Sequence, residues 1–132
     1  MSKGVADIFK ESKANAKIAG ALLGCCLALR EPFHTQSVSL VGFSLGCQVV
    51  KTCLKTLHKL GAVDVIQNVT FLGAAIDKPD KLKTKDKMAM VFSQVIAGEI
   101  KNVYTKKDWI LVCFYSICET DLAMGRHDCF SD

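Results

Sequence analysis

Ser44 stands between two glycines at the spacing Gly42-Phe43-Ser44-Leu45-Gly46. A Gly-x-Ser-x-Gly run does chemistry when a strand leads into it and a helix leads out. The serine then sits at the tip of a tight turn, as the nucleophile of a serine hydrolase does. Gly42 and Gly46 permit a turn with no room for a Cβ. The N–H of Leu45 lies where a helix begins and its first donors lack intrahelical partners. It can hold an oxyanion there, aided by the positive end of the helix dipole. Two other roles fit the same residues: a serine that caps the helix, and a phosphate-binding turn at a helix N-terminus.

A nucleophilic serine needs a base, and the base an orienting acid. Asp108 is the first choice of acid, because it follows the third predicted strand on the edge where parallel sheets bind ligands. Capping the helix that starts at Trp109 is its other role, and Asp77, beyond the second strand, is the rival acid. In the chain order Ser, Asp, His, only His127 follows Asp108, and a surface histidine in the tail is its other reading. His34 precedes the serine. His58 lies more than ~15 Å away along the following helix at 1.5 Å per residue. Cys47, three residues after Ser44, is either a packed side chain or a thiol made reactive by the helix N-terminus. The run Asp77–Lys87 holds five lysines, three aspartates and a proline. It reads as a solvated loop, with contact to anionic lipid heads as the alternative.

The rest of the chain must position these groups. Its 132 residues, 50% hydrophobic, suit one domain with one core. The net charge of +4 and few aromatics, none interleaved with basic residues, argue against nucleic acid as a partner. Seven cysteines are present: Cys25, Cys26, Cys47, Cys53, Cys113, Cys118 and Cys129. None forms a Cys-x-x-Cys pair, which argues against zinc, and nothing in the chain calls for a cofactor. Most lie in apolar runs, where a free thiol packs as a small hydrophobe, implying a reducing, intracellular compartment in which disulfides are unneeded but open. No signal peptide is evident. The longest apolar runs, Ile18–Leu29 and Trp109–Ile117, fall short of the ~18–20 residues that span a bilayer.

Periodicity predicts a helix over Val5–Leu29, stopped by Glu31-Pro32, with Gly20 and Gly24 allowing close approach to a sheet. A buried strand over Val38–Val41 follows, then a helix over Cys47–Leu60 with Gly61 as its C′ residue. A strand over Val69–Leu72, a helix over Lys87–Ala97 closed by Gly98, a strand over Ile100–Tyr104 and a helix over Trp109–Cys118 come next. The tail Glu119–Asp132 is irregular. Strands separated by helices pair in parallel through right-handed crossovers. The expected fold is α/β, with three parallel strands in sequential order and helices on both faces.

Val38–Gly46 resembles the elbow of α/β-hydrolases. Leu72-Gly73-Ala74, Ala97–Tyr104 and Asp108-Trp109-Ile110-Leu111 extend the likeness, which runs from about Ala16 to about Phe130. Together they look like the hydrolase-like domain of the transmembrane and coiled-coil domain-containing protein 4 family, whose members are membrane-associated. The resemblance implies that residues 1–132 form the C-terminal portion of a longer α/β-hydrolase-like domain, equivalent to its fifth, sixth and seventh strands. It implies an ester, thioester or lipid substrate in the complete domain, cleaved by Ser44 with Asp108 and a histidine. The chain departs from the family where Met124-Gly125-Arg126-His127 precedes, rather than follows, the expected next strand. The alternative is a membrane-associated structural or interaction module with no working triad.

Overall fold

The computed structural model describes residues 4–31, 36–75 and 84–105. Six elements occur in the order α1 (Val5–Ala28), β1 (Val38–Phe43), α2 (Gly46–Lys59), β2 (Ile66–Leu72), α3 (Thr84–Val95) and β3 (Ile100–Val103). β1 pairs in parallel with β2, and β2 with β3, giving a three-stranded sheet in sequential order flanked by helices. This is the expected partial α/β fold.

The strands are apolar where they meet the helices. Leu40, Val69 and Ile100 are aligned across the sheet, as are Gly42, Phe71 and Asn102. This row faces α2 and α3: Phe71 and Val69 are fully buried with Cys47, Cys53, Leu54 and Leu57 of α2. The Phe71 ring lies 6.2 Å from that of Phe92 on α3. The alternate row leaves Val41, Phe43 and Val103 exposed. The helix expected over Trp109–Cys118 lies outside the described residues.

Two strands are longer than the periodicity predicts. β1 runs on through Gly42 and Phe43, which stay paired with Phe71 and Leu72. β2 starts three residues early, at Ile66, because Gln67 and Asn68 hide its strand character. Asn68 is nonetheless structural, accepting the Glu99 N–H at 2.9 Å and reaching Ser39 Oγ at 3.4 Å on the opposite side. α3 starts at Thr84, so part of the expected lysine-rich loop is its first turn. It ends at Val95, before Gly98, whose N–H donates instead to Gln67 O at 2.7 Å.

α1 ends ahead of the proline. Arg30 adopts φ 56°, and the N–H groups of Arg30 and Glu31 return to Leu27 and Cys26 carbonyls, a closed C-terminus of the Schellman type. α2 closes in the same way, with Gly61 at φ 65° and Ala62 N–H on Leu57 O at 3.0 Å. Gly20 and Gly24 do allow close approach, but to α2 rather than to the sheet. A Cβ on Gly24 would lie 2.7 Å from Thr56 Cβ and 3.0 Å from Cys53 O. The Thr56 hydroxyl is held by Thr52 O at 3.0 Å, so its position cannot easily give.

Gly24→Ala therefore gains ~1 kcal/mol of helix propensity but incurs overpacking of about 1–3 kcal/mol. A lower urea midpoint is expected for G24A and a still lower one for Gly24→Leu, measured by circular dichroism.

Candidate functional site

Ser44 sits where β1 hands over to α2. Its N–H donates to Leu72 O at 2.8 Å, and its carbonyl accepts from Cys47 N–H and Ala75 N–H, both at 3.1 Å. These bonds tie the turn to the end of β2, whose Gly73 N–H in turn reaches Val103 O at 2.9 Å. The ends of all three strands thus converge on one edge. Held on both sides, Ser44 adopts φ 49°, a left-handed conformation that costs a non-glycine residue about 1–2 kcal/mol.

Leu45, at φ −66° and ψ −23°, is the N-cap residue of α2, and no side chain caps the helix. The capping role for Ser44 is therefore not the one seen. The N–H groups of Leu45 and Gly46 take no backbone partner among the described residues. They are donors at a helix N-terminus beside a half-buried serine, an arrangement suited to stabilising negative charge.

The two motif glycines differ. A Cβ on Gly42 would meet Cys47 Cα at 2.9 Å and Cys47 N at 3.0 Å, whereas one on Gly46 would meet nothing within 4 Å. The tightness expected of both glycines falls on Gly42 alone.

Cys47 is fully buried. Its thiol donates to Gly42 O at 3.1 Å, with Leu72 O at 3.7 Å as a second acceptor. Burial pushes its pKa up to about 11 and that of Cys53, also fully buried, to about 12. A thiolate is the reactive form, so the reactive-thiol reading of Cys47 is overturned by its desolvation. Its role as a donor inside the turn was not among the sequence expectations. Its position three residues after the serine, on the helix face toward the sheet, was the available signal.

His58 lies in the last turn of α2, about 20 Å along the helix from Ser44. Asp108, His127, His34 and Asp77 lie outside the described residues, as does most of the lysine-rich run. Among the described residues no group of His, Cys, Asp and Glu side chains could hold a metal ion. No helix among them is long and apolar enough to cross a membrane.

A family model described as "Protein of unknown function (DUF726)" matches residues 1–127. The chain is 33% identical over 105 residues to an uncharacterized membrane protein of Schizosaccharomyces pombe, covering 78% of this chain and 12% of that protein. It is 35% identical over 97 residues to "Probable lipase MIL1" of Saccharomyces cerevisiae, covering 74% and 8%. Over 112 residues it is 32% identical to "Transmembrane and coiled-coil domain-containing protein STS1" of Oryza sativa, covering 83% and 15%. The chain thus spans about a tenth of the length of these relatives. No solved structure matches it.

Two outcomes follow from the geometry. Gly42→Ala should lower stability by about 1–3 kcal/mol through overpacking, while Gly46→Ala should leave the urea midpoint unchanged or slightly raised. The buried thiols set an alkaline limit. Above the ordinary thiol pKa of 9.0, the unfolded chain gives up protons that the folded chain keeps. Stability is then fully present below pH 9.0 and falls as pH rises through about 11 and about 12. Urea midpoints taken at about pH 8 and about pH 10.5 should differ in that sense, and by less in Cys47→Ser, which removes one of the two titrating groups.

Proposed function

This chain belongs to the DUF726 family of proteins of unknown function, and within it we propose part of a serine hydrolase acting on acyl bonds, with Ser44 as the nucleophile. The observation that carries this reading is the backbone of Ser44. A left-handed serine, φ 49°, stands directly before a helix N-terminus with free N–H groups. That geometry supports reading the turn as a nucleophile elbow. The turn's backbone requires the conformation but not a serine side chain, which caps no helix here.

In the complete domain Ser44 Oγ attacks the carbonyl carbon of an ester or thioester while a base takes its proton. The Leu45 N–H holds the oxyanion. The acyl–oxygen or acyl–sulfur bond breaks, the base returns the proton to the departing alcohol or thiol, and water then cleaves the acyl-serine by the same route. Asp108 is proposed as the orienting acid, and His127, which follows it in the chain, as the base. A lipid ester is the favoured substrate class, supported by the relative named as a probable lipase. Association of the whole protein with membranes is proposed from the relatives named as membrane proteins. The relative named as a transmembrane and coiled-coil domain-containing protein supports the narrower family resemblance.

The reading is tested on the full-length protein with a fluorophosphonate probe. Wild type should label and Ser44→Ala should not, with both equally folded by circular dichroism. Equal labelling of the two, or none in either, would replace the hydrolase with a non-catalytic membrane-associated module.

A further inference from the structure

We propose that Cys47 is a positioning residue for Ser44, its thiol fixing the turn from which the serine projects. The inference rests on the reading of Ser44 as a nucleophile for its functional meaning, but its geometry stands apart from that reading.

The thiol reaches the two carbonyls that frame the turn. Gly42 O, 3.1 Å from Sγ, belongs to the last part of β1 before the serine. Leu72 O, 3.7 Å away, belongs to the end of β2 and is also the acceptor for the Ser44 N–H at 2.8 Å. One S–H therefore sits between the strand before Ser44 and the carbonyl that holds Ser44 itself. A thiol has a single proton to give, and the shorter contact places it on Gly42 O.

The contact needs a side chain of this size and polarity. The backbone of Cys47 approaches Gly42 so closely that a Cβ on Gly42 would lie 2.9 Å from Cys47 Cα. Little volume remains beside it. Alanine would fit but would remove this donor from Gly42 O, which keeps only its place in the β1–β2 ladder. Valine offers no donor and forces an extra methyl into that space. Serine keeps a donor on a shorter bond. Because burial raises the pKa of Cys47 to about 11, the donor stays protonated throughout the neutral range.

Two measurements on the full-length protein test this: amide hydrogen exchange across the turn, and the fluorophosphonate labelling rate. Cys47→Ala should speed exchange at the Ser44 amide, and slow labelling, by about tenfold, the effect of one lost hydrogen bond. Cys47→Ser should restore both to within about threefold, although burying a hydroxyl in place of a thiol gives no gain in global stability. Rescue without restabilisation is what a packing role cannot produce. If the serine variant is as fast in exchange and as slow in labelling as the alanine variant, or if alanine matches wild type, the proposal is overturned. If wild type does not label at all, the hydrolase reading fails. The exchange arm still decides on Cys47: faster exchange in alanine, reversed in serine, supports the positioning role, and no difference ends it.

Discussion

The chain passes from β1 into α2 through Ser44 and Leu45 alone, and the turn closes because Gly42 carries no Cβ. Cys47, the second residue of the helix, lies against that glycine at a distance no side-chain carbon would allow. From this approach the rest follows. α2 is laid onto the sheet row formed by Leu40, Gly42, Val69 and Phe71. α1 is laid onto α2 through Gly20 and Gly24. The end of β2 is drawn in to accept the Ser44 N–H and to supply the Ala75 N–H. Two close approaches, strand to helix and helix to helix, therefore set the layer spacing on this side of the sheet.

The order of elements and the parallel sheet were legible because period and composition carry them. Alternating apolar strands and helices closed by glycine leave few other topologies. Strand ends were less legible where pairing outlasts hydrophobicity. Gln67 and Asn68 are polar yet belong to β2, since an exposed position in a paired strand needs backbone bonds and not apolar side chains. The helix-to-helix role of Gly20 and Gly24 was also hidden, for a glycine announces close approach without naming its neighbour. At the site, spacing alone pointed to Ser44 and to the helix N-terminus. It could not tell the tight glycine, Gly42, from the open one, Gly46. It could not foresee that the Cys47 thiol points at a carbonyl, because that depends on a rotamer chosen by the completed turn.

The two rows of side chains on the sheet differ in environment. The row facing α2 and α3 is densely buried. The other shows Val41, Phe43 and Val103 to solvent beside Thr70 and Lys101, which are aligned with Val41; among the described residues β1 is an edge strand and carries no charged residue. At the opposite edge, Glu99 just before β3 and Lys101 within it form an ion pair of 3.1 Å, the kind of charged border that discourages further pairing. The two edges thus differ, the β3 edge charged and the β1 edge uncharged.

The left-handed backbone of Ser44 sets local fitness against global fitness at one position. Glycine there would keep every backbone hydrogen bond of the turn and relieve about 1 kcal/mol of conformational strain. Selection for folding alone would drift toward it, since a serine hydroxyl contributes nothing that the turn requires. The position is therefore a point of local frustration. Such a residue can be sought without any assay, as one whose replacement makes the protein more stable.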